Sequence, residues 1–267
     1  MNRNLTVLTL MLALALPASV DAARKPKITP VEKTVQDLQA ALTKGDEQSV
    51  DKLVLALENK PQDVVPVARL LLAAADDKAQ ATALLLLSHQ LSGDSALLLG
   101  TLLDNPEFEK RIEVIEMLGA MKGVPEAVQI LQKLARSNLP YEREKAVEGL
   151  GKLADPTTVP TIAGACSDGL FSVRISACKA LGSFDDKLAR ETLGKVLATD
   201  TNVGVRTEAA KALGATKTRA SVPFLLAGLK DESLAVQNAT SDALRDVTGM
   251  DLGPDYPAWE SWDKKNR

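Results

Sequence analysis

Aromatic side chains are scarce. Rings make up 3% of the 267 residues, with two tryptophans, two tyrosines and four phenylalanines. That argues against a β-sandwich, since strands favour aromatic and β-branched residues. There is one histidine, His89, and only two cysteines, Cys166 and Cys178. No His or Cys set has metal-ligand spacing, so no metal or other cofactor is expected. Positive charge is not in excess. Lys and Arg total 32 against 35 Asp and Glu, a formal charge of −3. A nucleic-acid groove would be uniformly basic, so no nucleic-acid partner is expected. There is no Gly-rich phosphate loop and no Gly-x-Ser-x-Gly elbow. Gly149-Leu150-Gly151 follows no strand and lies inside a helical pattern. Asp76-Asp77 and Asp185-Asp186 fall at inter-helix turns, where aspartate caps helices. His89 stands alone at a helix end, and no catalytic residue is expected.

What is present is apolar bulk, 45% of residues, carried by Leu, Ala and Val. Such a core suits closely packed helices. The start has a different character. Arg3 precedes an apolar run over 5–16, too short to cross a bilayer. Pro17-Ala18-Ser19 then breaks the helix, and Val20-Asp21-Ala22 is a small-x-small cleavage site. Residues 1–22 therefore read as a secretory signal peptide, with an uncleaved anchor or an N-terminal core helix as the competing reading. No later stretch is long and charge-free enough to span a membrane. The mature chain is expected to be exported, periplasmic or secreted, without membrane insertion. Residues 23–30 form an extended lead-in with Arg24, Lys25, Lys27 and two prolines.

From residue 31 the pattern is helical almost to the end. Pro61, Pro66, Pro106, Pro125, Pro140, Pro156, Pro160 and Pro223 fall near expected helix starts, where a missing N–H costs little. A Leu-Gly step recurs at Gly119, Gly151, Gly182 and Gly214, a period of about thirty residues. One arginine precedes each glycine in fixed register: Arg111, Arg143, Arg174 and Arg206. Alanines such as Ala177 and Ala180, or Ala209 and Ala212, let neighbouring helices approach. The glycine at the helix end is expected to take a left-handed cap conformation. In the unit around 169–200 the spacing predicts helices over 171–183 and 187–198. Thus 76–248 reads as stacked helix pairs, 31–75 as a divergent capping unit, and 249–267 as a separate tail.

Asp168…Val173-Arg174…Ala177…Ala180-Leu181-Gly182 and Asp200…Val205-Arg206…Ala209…Ala212-Leu213-Gly214 resemble HEAT repeats. More narrowly they resemble the short bacterial HEAT-like type first described around phycobilisome lyases. The resemblance covers about 104–248 and is weak before 76. It implies an all-α solenoid of antiparallel helix pairs, with Asp and Arg ladders linking one unit to the next. By position the ladder is Arg111, Arg143, Arg174 and Arg206 with Asp168, Asp200 and Asp231. Ser137 stands where an aspartate is expected, and Gln80 and Gln237 replace the arginine at the two ends, so the ion pairing should stop there. Tetratricopeptide and ankyrin signatures are absent.

Cys166 and Cys178 align with apolar positions on two successive helices. Two readings stay open: a disulfide, or two buried thiols acting as small hydrophobes. The solvent row of the arginine-bearing helices, Glu116, Glu148, Lys179, Lys211 and Asp242, is mixed in sign and fits a protein partner or plain solvent. The tail carries Val247-Thr248-Gly249, then Trp259 and Trp262, and resembles the segment that closes many HEAT-like arrays. The tryptophans either cap the last layer or contact a partner. The expected function is an exported, non-catalytic scaffold or adaptor that binds a protein. Related repeats also occur in bilin lyases and in helical-repeat DNA glycosylases. Export argues against the first, and acidity with few aromatics argues against the second.

Overall fold

The computed structural model describes residues 28–74 and 76–266. The signal-peptide segment 1–22 and most of the lead-in lie outside the described residues. Every regular element among the described residues is helical. In chain order these are α1 (Pro30–Lys44), α2 (Glu47–Glu58), α3 (Pro61–Leu72), α4 (Asp77–His89), α5 (Gly93–Leu103), α6 (Arg111–Ala120), α7 (Pro125–Leu134) and α8 (Pro140–Leu153). They continue as α9 (Val159–Ala165), α10 (Phe171–Leu181), α11 (Lys187–Thr199), α12 (Val203–Ala215), α13 (Val222–Leu225), α14 (Leu234–Thr248) and α15 (Tyr256–Asn266).

Local chemistry sets the boundaries. Thr29 and Glu32 form a reciprocal capping box on α1. Asp76 and Asp186 each accept a backbone N–H from the first turn of α4 and α11, so one aspartate of each adjacent pair serves as a cap. Pro61, Pro125 and Pro140 open α3, α7 and α8. Pro66 departs from expectation and lies inside α3. Pro61 already occupies the helix start, so the second proline falls more than a turn in.

The helices alternate between two rows. The even-numbered α6, α8, α10, α12 and α14 pack side by side, each on the next. The odd-numbered helices form the other row, with α5 against α7, α9 against α11 and α11 against α13. At the N-terminal end α1 packs on α3, α3 on α5, and α2 on α4. The result is an α-solenoid. Its core runs unbroken between the rows, and the leucine of each step, Leu118, Leu150, Leu181, Leu213 and then Leu244, has no exposed surface. Each such burial contributes about 1.5–3 kcal/mol.

The step glycines do something other than cap. Gly182 is right-handed, with φ −61°, and positive φ among the described glycines occurs at Gly45, Gly123, Gly249 and Gly253. A Cβ on Gly119 would stand 2.8 Å from the Gly149 Cα, and one on Gly151 would stand 2.7 Å from the Ala180 Cβ. Gly182 meets Ala212, and Gly214 meets Ala243, in the same way. These glycines are the places where consecutive even-row helices touch backbone to backbone.

Candidate interaction surface

The Arg and Asp positions meet across layers. Arg143 Nε lies 2.7 Å from Asp168 Oδ2, Arg174 Nε 2.7 Å from Asp200 Oδ2, and Arg206 Nε 2.7 Å from Asp231 Oδ2. A second guanidinium nitrogen donates to the other carboxylate oxygen in each case, making a bidentate fork. Each arginine also donates to a carbonyl at the head of its own helix: Arg143 to Ser137, Arg174 to Asp168 and Arg206 to Asp200. Every aspartate further accepts the N–H two residues on, at Leu170, Asn202 and Ser233. One aspartate thus closes its own turn and holds the arginine of the preceding layer.

These contacts shift the titration of the aspartates. The forks from Arg143 and Arg206 hold Asp168 and Asp231 below the ordinary carboxylate value, against an opposing burial effect. At Asp200 burial is the largest influence and pushes upward. The Arg174 fork and the Asn202 amide outweigh it, and the net direction is down.

The ladder extends past its sequence signature. Ser137 cannot pair with Arg111, and Glu142 takes the place of the missing aspartate. Arg111 Nε donates to Glu142 Oε1 at 2.7 Å, both side chains are buried, and the Ser137 hydroxyl donates to the same carboxylate. Gln237 and Gln80 keep half of the arginine's work, since each amide donates to a carbonyl at the head of its helix, Asp231 and Ala74. The ion pairing ends at these glutamines, but the helix-head contact does not.

Three members of the solvent row of the even helices pair with cations beside the row. Lys145 reaches Glu148 at 3.0 Å and Glu116 of the layer before at 3.5 Å, and Arg245 pairs with Asp242. Lys179 and Lys211 stand exposed. His89 lies 2.8 Å from Glu58, joining α4 to α2. Cys166 and Cys178 are both free thiols, both buried, and in contact with one another.

The tail folds back on the last layer. Trp259 is wholly buried and donates its indole N–H to the Gly253 carbonyl at 2.8 Å. Trp262 meets it edge to face and carries the Arg219 guanidinium over its ring at 5.8 Å. The Lys230 ammonium sits 3.5 Å from the centre of the Tyr256 ring. Both cations belong to the segment around α13, so α15 is fastened to the final pair of helices.

The sequence reading missed one periodic row. Three residues before each ladder position stand Phe108, Pro140, Phe171, Val203 and Leu234, all apolar. Four are exposed, Leu234 to 72% and Phe171 to 54%, while Phe108 is half-buried. They lie at or just before the N-termini of α6, α8, α10, α12 and α14, on one edge of the stack. The ladder register would have revealed the row, because it places an apolar residue at the same offset in every layer, joined by the exposed Leu139 and Leu170 in two of them.

These features define a repeat solenoid whose layers are tied by charged forks. A family model for HEAT repeats matches residues 132–213 and 190–251. HEAT repeats thus account for residues 132–251. Among curated proteins none matches it. Among solved structures it is similar to Kap121p, at 14% identity, over 86% of this chain and 31% of that one, with a TM-score of 0.56. It is similar also to a designed armadillo repeat protein in complex with peptide (KR)4, at 18% identity, over 69% of this chain and 99% of that one, with a TM-score of 0.45. The phycocyanin lyase complex of CpcE and CpcF from a Nostoc species shares 18% identity, over 94% of this chain and 99% of its own, with a TM-score of 0.40. At 14% identity the likeness to Kap121p speaks for the fold alone. No helix among the described residues is long and apolar enough to cross a membrane.

Proposed function

We propose that this protein is an exported, non-catalytic scaffold that holds a protein partner along the edge formed by Phe108, Pro140, Phe171, Val203 and Leu234. The observation that carries the reading is an exposed apolar side chain in each of four successive layers, Pro140, Phe171, Val203 and Leu234, continued by the half-buried Phe108. Lone exposed apolar residues are ordinary, but a contiguous row marks a contact surface. The Arg–Asp forks hold the turns beside this row in one register, so the edge is preorganised and little ordering entropy is spent on binding.

The spacing points to the partner's form. Packed helices lie about 8–10 Å apart. An extended chain advances by that distance in about three residues. If that segment is polyproline II, with three residues per turn and about 3.1 Å per residue, every third side chain returns to the same face about 9 Å on, so an apolar residue at every third position matches the row. The mixed charge on the even-row face, with Glu116 and Glu148 both held by Lys145, supports a protein partner over a polyanion. Export rests on residues 1–22 and is read out separately, by sequencing the N-terminus of the protein recovered from outside the cytoplasm. Cleavage after Ala22 is expected, and an intact Met1 would sink that part.

The partner edge is tested by placing a photoreactive amino acid at position 171 or 234, and at position 211 on the even-row face, in the full chain. A discrete protein adduct from 171 and 234, with none from 211, is the expected result. Adducts from 211 alone would move the surface elsewhere.

A further inference from the structure

We propose that Cys166 and Cys178 form an oxidation site, a dithiol that closes to a disulfide inside the folded stack and ties α9 to α10. Cys166 caps the C-terminus of α9, Cys178 lies within α10, and the two helices pack directly together. The two thiols neighbour one another inside the stack. Their surroundings differ. Cys178 has no exposed surface. Cys166 borders a groove between α9 and α11, lined also by Ala163, Thr192, Lys195 and Val196. Cys166 retains 5% exposure at this groove and Cys178 none, so an oxidant meets Cys166 first.

The asymmetry sets the order of events. The oxidant is a small disulfide or a disulfide-bearing oxidoreductase. The Cys166 thiolate attacks one of its sulfurs. The oxidant's S–S bond breaks, a mixed disulfide forms on Cys166, and one thiolate leaves and takes up a proton. Cys178 then gives up its proton and attacks the Cys166 sulfur. The second thiolate leaves as a thiol, and the protein disulfide remains. Two protein thiols are oxidised and one oxidant disulfide is reduced to two thiols. Contact with Cys166, and then burial, push the Cys178 thiol above its ordinary value, in keeping with its acting second.

The bridge would close a short loop that contains Asp168 and Phe171. Asp168 holds Arg143 through its carboxylate and Arg174 through its carbonyl. Oxidation therefore locks the turn through which the ladder passes, next to an exposed member of the apolar row.

The test uses the full chain, reduced, desalted and exposed while folded to oxidised glutathione. Free thiols are then alkylated and the protein is mapped by mass. Loss of two hydrogens in a Cys166–Cys178 linked peptide is expected, with the thermal midpoint rising by about 5–10 °C. In Cys178→Ala, glutathione should remain on Cys166. In Cys166→Ala, Cys178 should stay unmodified until denaturant is added. Helical circular dichroism checks that both variants fold. Two free thiols after treatment, glutathione persisting on wild-type Cys166, or a bridge formed only in denaturant would each overturn the proposal.

Discussion

Gly119 and Gly149 meet across two layers so closely that a Cβ on Gly119 would stand 2.8 Å from the Gly149 Cα. The neighbouring atom is backbone, which cannot swing aside. Gly119→Ala should therefore cost about 1–3 kcal/mol by forcing α6 and α8 apart. Gly164, exposed in α9 with nothing near its missing Cβ, supplies the contrast. Gly164→Ala should stabilise by about 0.5–1 kcal/mol through helix propensity alone. Chemical denaturation of both variants checks the pair, and equal effects of the same sign would contradict the close-approach account.

The charged forks give a second prediction. Arg206 and Asp231 are each 8% exposed, so removing the arginine leaves a carboxylate with little water to replace it. Arg206→Met should cost about 3 kcal/mol. Arg245 and Asp242 form a pair of similar distance in open solvent, and Arg245→Met should cost no more than about 0.5 kcal/mol. Denaturation midpoints of the two variants test whether burial, and not distance, sets the value of these pairs.

Acid should weaken the stack through the same groups. Asp168, Asp200 and Asp231 titrate below their ordinary value of 3.8 when folded. In that window the unfolded chain binds more protons than the folded one, so stability falls as pH falls. Their contribution is complete well above 3.8 and is lost as pH drops through the lowered folded values. Stability measured from pH 7 down to 3 should be nearly flat at first and steep at the acid end, and Arg206→Met should lose less than the wild type over the acid part. A wild-type curve that stays flat to pH 3 would refute the role of the forks.

The periodic part of the fold was legible because each layer repeats one chemical task. Leu118, Leu150, Leu181 and Leu213 fill the same space, and Arg143, Arg174 and Arg206 reach the same carboxylate position. Where the task was solved differently, the register hid it. Glu142 replaces an aspartate from another point in its unit, with a side chain one methylene longer, and only the fold brings it to Arg111. The step glycines were misread for a related reason. A glycine at a helix end suggests a left-handed cap, whereas here the adjacent layer demands the missing Cβ, and sequence carries no sign of that neighbour. The candidate edge was present in the register at Phe171, Val203 and Leu234, but exposure cannot be told from burial by apolarity alone.

The edge itself should be energetically quiet in the free protein. Phe171→Ser and Leu234→Ser remove exposed apolar surface and touch none of the forks, so each should change stability by less than about 0.5 kcal/mol.

The most direct measurement of the central claim is the affinity of the crosslinked partner, once isolated, for the Phe171→Ser/Leu234→Ser double variant. Calorimetry should show binding at least about tenfold weaker than for the wild type, with the thermal midpoint of the free protein unchanged. Unchanged affinity in this variant, together with loss of binding in Lys179→Glu/Lys211→Glu, would contradict the account and place the partner on the even-row face instead.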